Sequence, residues 1–326
     1  MRRRWKKIVF WGLLLGFVVI NGLAYMQAKA MISFSDSGEA TKKPEDLSFV
    51  EKIPVLLTGI TLPRPVNQRT PQDVGVSYET VQLANGQGET LDAWVIEVDE
   101  PQAVVLLFHG YAASKAQLLE MGRALHAMQC NVMLTDFYGS GESSGTGTTI
   151  GYKEALDVKA CATYANERWR DVDVPHVYYG ISMGGAAILK AIDDGAIEPN
   201  AIALESVFDT LLNTASNRFR MMGLPPFPLA QMLIFWGGVQ SGYNGFAYKP
   251  AEYARAVACP ALVLHGANDE RVREEQAQRV YENLNEWKSF SLFESAAHAL
   301  VMQTDPEQWQ EAMEELLEKA GTQRKD

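Results

Sequence analysis

Hydrophobic and polar positions fall into two regimes along this chain. The first is unbroken: no residue from Ile8 to Met26 is charged, a run of 19 residues. As a helix it is about long enough to cross the hydrocarbon core of a bilayer. Residues 31–73 form a polar stretch with several prolines, read as a membrane-proximal linker. Within it only Ile53 to Leu62 is apolar enough to pack on a folded domain or lie at a membrane, and both readings stand. From residue 74 the second regime begins, in which short apolar runs alternate with longer segments at helical spacing. Val74 to Leu83 and Thr90 to Val98 read as strands. Asn85-Gly86 between them favours a tight turn, which predicts an antiparallel pair.

Ala103 to Phe108 is continuously apolar, the mark of a strand buried on both faces. Asn131 to Thr135, His176 to Tyr179, Ala201 to Leu204, Ala261 to Leu264 and Ser289 to Phe293 are further strand-like runs. Between them Ser114 to Met128, with Ser114 as N-cap, Ile150 to Trp169 and Val272 to Asn285 read as helices. A last helix follows Pro306, with Asp305 able to cap and proline suited to the first helical position. This alternation predicts an α/β architecture: a mostly parallel sheet of about eight strands with helices on both faces. Right-handed crossovers then bring the strand C-termini to one edge, where ligands collect. The segment from about 211 to 253 breaks the rhythm. It is apolar, carries Pro225-Pro226-Phe227-Pro228 and Leu233-Ile234-Phe235-Trp236, and shows no strand. It reads as a small cap insertion whose water-poor wall favours an apolar or acyl-bearing substrate. The organisation expected is an anchor or signal peptide over 1–30, a linker over 31–73, and one domain over 74–326.

Charge divides the chain at the same place. Six of the 29 Lys and Arg lie in residues 1–30, which hold no Asp or Glu. Residues 31–326 carry 23 basic against 40 acidic side chains, a net charge of −17. A surface so acidic argues against nucleic acid or anionic lipid as a partner held through a broad basic face. Arg2, Arg3, Arg4, Lys6 and Lys7 ahead of the apolar run favour a cytoplasmic N-terminus, which puts the remainder outside. The competing reading is a cleaved signal peptide, since Ala28-Lys29-Ala30 resembles a small-residue processing site, although the apolar run is long for one. Cys130, Cys161 and Cys259 lie far apart, form no CxxC, and read as small buried hydrophobes.

The chemistry enters at Gly180-Ile181-Ser182-Met183-Gly184. A strand-like run precedes it and a small-residue helical segment follows, the context of a nucleophile elbow, in which a sharp turn lifts a serine hydroxyl above a sheet. Gly141-Glu142-Ser143-Ser144-Gly145 spells the same pattern but lies inside a Gly-, Ser- and Thr-rich loop with no strand leading in. A serine hydroxyl needs a base, and the chain has five histidines. His126 and His176 lie within predicted elements, and His109 and His265 precede glycine at strand ends, where they read as loop-ordering groups. His298, between the last strand and the last helix, is the candidate base. The acid is expected between serine and histidine. Asp269 after the Ala261–Leu264 strand fits, with Asp209 as fallback and Glu270 directed elsewhere. An oxyanion would be met by the backbone N–H of Met183 and that of Tyr111, in the loop after Ala103–Phe108. No histidine spacing fits a metal site, and no metal or organic cofactor is expected.

With these residues in order, the chain resembles the α/β-hydrolase superfamily, above all the serine-aminopeptidase-like and Bem46-like members. Asp136-Phe137-Tyr138-Gly139-Ser140-Gly141-Glu142-Ser143 is similar to the family's D-x-R-G-x-G-x-S turn. Tyr138 stands where arginine is common, which removes one loop-ordering charge. The resemblance covers roughly residues 75–320 and implies the α/β-hydrolase fold with Ser182, Asp269 and His298 as triad. It implies hydrolysis of a small-molecule or lipid-like acyl substrate, with esterases, thioesterases, lipases and peptidases all represented. An anchored carboxylesterase or lipid-directed esterase is the first expectation. An aminopeptidase, for which Glu205 would supply an acidic subsite for the substrate amine, is a second. A catalytically silent binding or scaffold protein on the same fold is a third.

Overall fold

The computed structural model describes residues 2–42 and 47–323. Met1 of the expected anchor, residues 43–46 of the expected linker and residues 324–326 lie outside them. Two compact units are present: Met1–Pro63 with Leu211–Ala247, and Arg64–Thr210 with Tyr248–Asp326.

The second unit holds one eight-stranded sheet. Its strands are β1 (Glu79–Ala84), β2 (Thr90–Ile96), β3 (Ala103–Phe108), β4 (Cys130–Thr135), β5 (His176–Ile181), β6 (Ala201–Glu205), β7 (Ala261–Gly266) and β8 (Lys288–Phe293). They are ordered β1-β2-β4-β3-β5-β6-β7-β8. β2 runs antiparallel to both its neighbours and every other pairing is parallel. The continuous apolar runs are the central strands: every residue of β3, β4, β6 and β7 is buried. The edge strands β1 and β8 are largely solvent-accessible and mix in Glu, Thr, Gln and Ser, which blunts edge pairing.

Side chains alternate across the sheet, so each central strand feeds two cores. Val105, Leu107, Val177, Tyr179, Ala203 and Leu264 pack in one cluster with Leu119, Met121 and Leu125 of α3 (Leu119–Ala127). Trp309, Met313 and Leu316 of a C-terminal helix, Pro306–Gln323, complete it. Val104, Leu106 and Phe108, the intervening residues of β3, are equally buried. Helices α4 (Glu154–Arg168) and α5 (Met183–Asp193) pack against the sheet at β3, β5 and β6.

Helix starts differ from the sequence reading where a turn tightens. Lys115–Leu118 is a 3₁₀ turn leading into α3, so Ser114 caps that turn, without a side-chain bond to it. The stretch from Val74 towards β1 begins as a 3₁₀ turn, Pro71–Val74, closed by Gly75.

The first unit is helical. α1 spans Arg2–Ile32 and is long and apolar enough, by length and composition, to cross a membrane. α2 (Phe49–Thr58) stands inside the stretch read as linker. A capping box between Ser48 and Glu51 starts it despite Pro54 within. The apolar insertion is built from α6 (Leu211–Met221) and α7 (Pro226–Ser241). Trp236 of α7 donates its indole N–H to Asn21 of α1 at 3.2 Å, and Gln240 reaches the Tyr25 carbonyl at 3.1 Å.

One buried charge cluster braces the sheet end of the second unit. The Lys115 ammonium, fully buried, lies 2.6 Å from Asp92 and 2.7 Å from Asp136. Burial opposes these charges, but the pairing outweighs it: Lys115 is held above its ordinary pKa and Asp136 below. Asp136→Asn removes one of the two buried carboxylates that face the Lys115 ammonium and leaves Asp92 as its buried partner, so it is expected to cost about 1.5–3 kcal/mol, the worth of hydrogen bonds to a charged group. Urea unfolding checks this, and an unchanged midpoint would overturn it.

Candidate active site

β5 ends at Ile181 and α5 begins at Met183, so one residue, Ser182, makes the whole turn. Its backbone sits at φ 50°, ψ −105°, a conformation L-residues rarely adopt. Such strain costs on the order of 1–3 kcal/mol and persists only where surroundings enforce it. Here the Ser182 N–H donates to the Glu205 carbonyl at 2.7 Å, and Ala186 N–H closes the first helical turn on the Ser182 carbonyl at 3.0 Å. The flanking glycines leave no room for a side chain. A Cβ on Gly184 would lie 2.8 Å from the His109 carbonyl oxygen, and one on Gly185 2.9 Å from the Gly180 oxygen. A Cβ on Gly110 would lie 3.9 Å from that of Ser182, which puts the His109-Gly110-Tyr111 turn beside the serine.

Asp269 and His298 come together from two loops. Asp269 follows β7 and is buried, whereas the His298 side chain is 21% exposed. Their side chains meet Oδ2 to Nδ1 at 2.7 Å. The other carboxylate oxygen, Oδ1, accepts the N–H groups of Arg271 and Val272, each at 2.9 Å. The loop therefore fixes the carboxylate and the carboxylate fixes the ring. A carboxylate only accepts, so Nδ1 carries the proton and the lone pair of the neutral ring resides on Nε2. The alternative acids are engaged otherwise. Asp209 accepts Gln276 Nε2 at 2.7 Å and Arg279 Nε at 2.8 Å, and Glu270 is exposed.

Residues 99–208 match the family model described as serine aminopeptidase, S33. An esterase of Pyrococcus furiosus superposes with a TM-score of 0.66 at 25% identity, over 78% of this chain and 96% of that one. The chain has the α/β-hydrolase fold. It is also 27% identical over 149 residues to protein bem46 of Schizosaccharomyces pombe, covering 44% of this chain and 49% of that protein. With the lysophosphatidylserine lipase ABHD12 of Macaca fascicularis the identity is 22% over 264 residues, 73% and 65% of the respective chains. The chain thus spans about half the length of bem46 and about two thirds of the lipase.

The chain orders its loops with His109, expected as a loop-ordering group, and with Arg64 and Lys115, which the sequence did not single out. His109 Nδ1 lies 2.8 Å from the Gly110 carbonyl, and the Phe137 N–H donates to Nε2 at 3.1 Å. The ring is thus neutral and ties the turn beside Ser182 to the loop after β4. Burial lowers its pKa and agrees with that state. His265 differs: it is buried, and among the described residues its ring makes no hydrogen bond of good geometry, the Val272 backbone offering a weaker one. The charge expected to be lost at Tyr138 is supplied from elsewhere. Arg64 donates to the carbonyls of Gly141 at 3.0 Å, Gly145 at 2.5 Å and Ser143, and Lys115 pairs with Asp136. Arg64 lies 77 positions before Gly141, so no local spacing announces it. Ser143, of the second G-x-S-x-G, donates to the Asp136 carbonyl at 2.6 Å and accepts from the Asp92 N–H at 2.9 Å. It is a structural loop serine. Asp92, Asp136 and Glu142 converge as a cation-binding group would. The Lys115 ammonium contacts all three, at 2.6, 2.7 and 3.2 Å.

Glu205 is not an accessible acidic subsite. It is fully buried at the end of β6. Oε1 accepts the Val301 N–H at 3.0 Å, Oε2 accepts the Tyr179 hydroxyl, and that hydroxyl accepts Trp309 Nε1 at 3.1 Å. The carboxyl thereby holds the chain three residues beyond His298. Burial pushes its pKa up to about 7, more than the two hydrogen bonds pull it down. An acid whose pKa is raised in the folded state keeps its proton there after the unfolded chain has lost it. Stability therefore falls as pH rises from about 4.5 to about 7. Glu205→Gln is expected to flatten that part of the melting-temperature profile. Asp157, also pushed up to about 7 by burial, leaves a residual slope of the same sign. An identical profile for variant and wild type would refute this account of Glu205.

Proposed function

We propose that the protein is a membrane-anchored serine hydrolase acting on carboxylic esters, most naturally the acyl esters of lipids. The observation that carries the reading is the strained backbone at Ser182, a cost with no evident structural return unless the hydroxyl must be presented there. Ser182 Oγ attacks the acyl carbonyl while His298 Nε2 takes its proton. Asp269 holds the tautomer and stabilises the imidazolium. The oxyanion is met by the N–H groups of Met183, at the first position of α5, and Tyr111. His298 then protonates the departing alcohol, and water releases the acyl group by the same steps in reverse.

Ester over amide is supported by the Pyrococcus furiosus esterase and the lysophosphatidylserine lipase among the similar proteins. The aminopeptidase alternative loses its candidate amine subsite, because both Glu205 oxygens are engaged in the interior. An uncleaved anchor is supported by α1, which continues unbroken through Ala28-Lys29-Ala30 to Ile32, with Ala28 buried. The basic residues ahead of the apolar run then keep the N-terminus cytoplasmic and the catalytic unit outside.

Two measurements test the reading. A fluorophosphonate probe is expected to label the wild type and not Ser182→Ala, with ester turnover falling on the order of 10³-fold or more. Labelling that persists in Ser182→Ala would exclude this nucleophile, and a folded but unlabelled wild type would favour the scaffold reading. Intact mass of the membrane-extracted protein is expected to include residues 2–30, and a mature chain starting at Met31 would dispose of the anchor.

A further inference from the structure

The helical unit encloses a cavity of about 320 Å³, within the range of small-molecule sites. Its walls come from the last turns of α1 (Leu23, Ala24), from α2 (Leu56), and from the α6–α7 segment (Phe219, Met222, Leu233). Gln27 also lines it, but its amide donates to the Val55 and Leu56 carbonyls at 2.5 and 2.9 Å, which turns that polar group into the wall. Among the described lining residues Arg218 alone is charged. We infer that this cavity binds a single acyl chain of a membrane lipid.

The occupant follows from where the walls lie. An apolar span from Ile8 to Met26 rises about 1.5 Å per residue, so Leu23 and Ala24 fall within the outermost turn of the hydrocarbon region, where acyl chains are the abundant apolar molecules. The same unit carries apolar side chains that water would leave uncovered. Val50, Ile53 and Leu57 form an exposed stripe on α2, and Phe235 and Val239 are exposed one turn apart on α7. Such stripes suit helices lying in a membrane interface. The volume takes one chain rather than the body of a two-chain lipid. The inference rests on the membrane-anchor reading, but not on Ser182 as nucleophile.

The test uses the full chain in phosphatidylcholine nanodiscs with a lysophospholipid bearing a diazirine in its sixteen-carbon acyl chain. Photolabelling is expected in two stretches, Ile20–Met31 and Phe219–Leu233. Ala24→Trp, which fills the cavity, is expected to reduce that labelling about tenfold. Val19→Trp, on an exposed part of α1, is expected to leave it unchanged, and Ser182→Ala to label like wild type. Equal labelling in all four proteins would mean bulk lipid contact and overturn the site, as would labelling confined to Ile8–Val19. Loss of labelling in Val19→Trp as well, with a lowered melting temperature in both tryptophan variants, would also count against it. Leu233→Trp, filling the cavity from α7, must reproduce Ala24→Trp for the assignment to stand. Fluorophosphonate labelling of Ser182, followed in parallel, separates failure of this site from failure of the catalytic reading.

Discussion

The turn between β5 and α5 is the constraint on which the rest of the sheet-bearing unit depends. A strand and a helix are joined through one residue, and Ser182 carries the resulting strain at φ 50°. Close packing makes that tolerable: Gly180, Gly184 and Gly185 bring backbone against backbone, and the Glu205 carbonyl takes the serine N–H. The backbone contacts come from the ends of β3 and β6, where Phe108 and Glu205 are buried, so the turn is held by the sheet. The glycines of the motif are a packing requirement, and a partly accessible Ser182 standing alone between strand and helix is its consequence.

Around that turn the protein uses buried polar groups to hold the loops that bear the candidate residues. Asp269 divides its two oxygens between loop backbone and the His298 ring. Glu205 divides its own between Tyr179 and the chain just beyond His298. His109 bridges the turn beside Ser182 to the loop after β4, and Lys115 with Arg64 organises that second loop from within. In a low-dielectric interior such bonds are stiff when complete and costly when broken. The candidate triad is thus set on fixed supports, which suits a reaction in which the orientation of hydroxyl, imidazole and oxyanion donors decides the rate.

The helical unit follows different physics. Its helices present apolar side chains outward as well as inward, and its cavity is apolar apart from one arginine and a spent amide. A surface of that kind is unfavourable in water and ordinary in lipid. The sheet-bearing unit carries few such side chains, and the segments that join α1 in the helical unit, 31–63 and 211–247, come from the acidic part of the sequence.

What the sequence determined by itself was everything encoded locally. Largely apolar runs marked β3, β4, β6 and β7, because a strand buried on both faces keeps polar residues to its ends, as with Asn131, Thr135, Glu205 and His265. The order of strands and helices implied a parallel sheet, and strand, glycine, serine and helix in succession distinguished Ser182 from Ser143. The pairing of Asp269 with His298 was legible because the order of elements limited the candidates to a few. Tertiary structure alone decided the rest. Arg64 and Lys115 replace the charge missing at Tyr138 from positions with no sequence relation to that turn. Glu205, an acid at a strand end by sequence, becomes an interior strut because β5 and the chain after His298 close over it. The α2 helix, hidden by its proline and polar flanks, forms against α1 and helps enclose a cavity. Contacts across tens or hundreds of residues depend on how the chain returns on itself, and no local spacing records that.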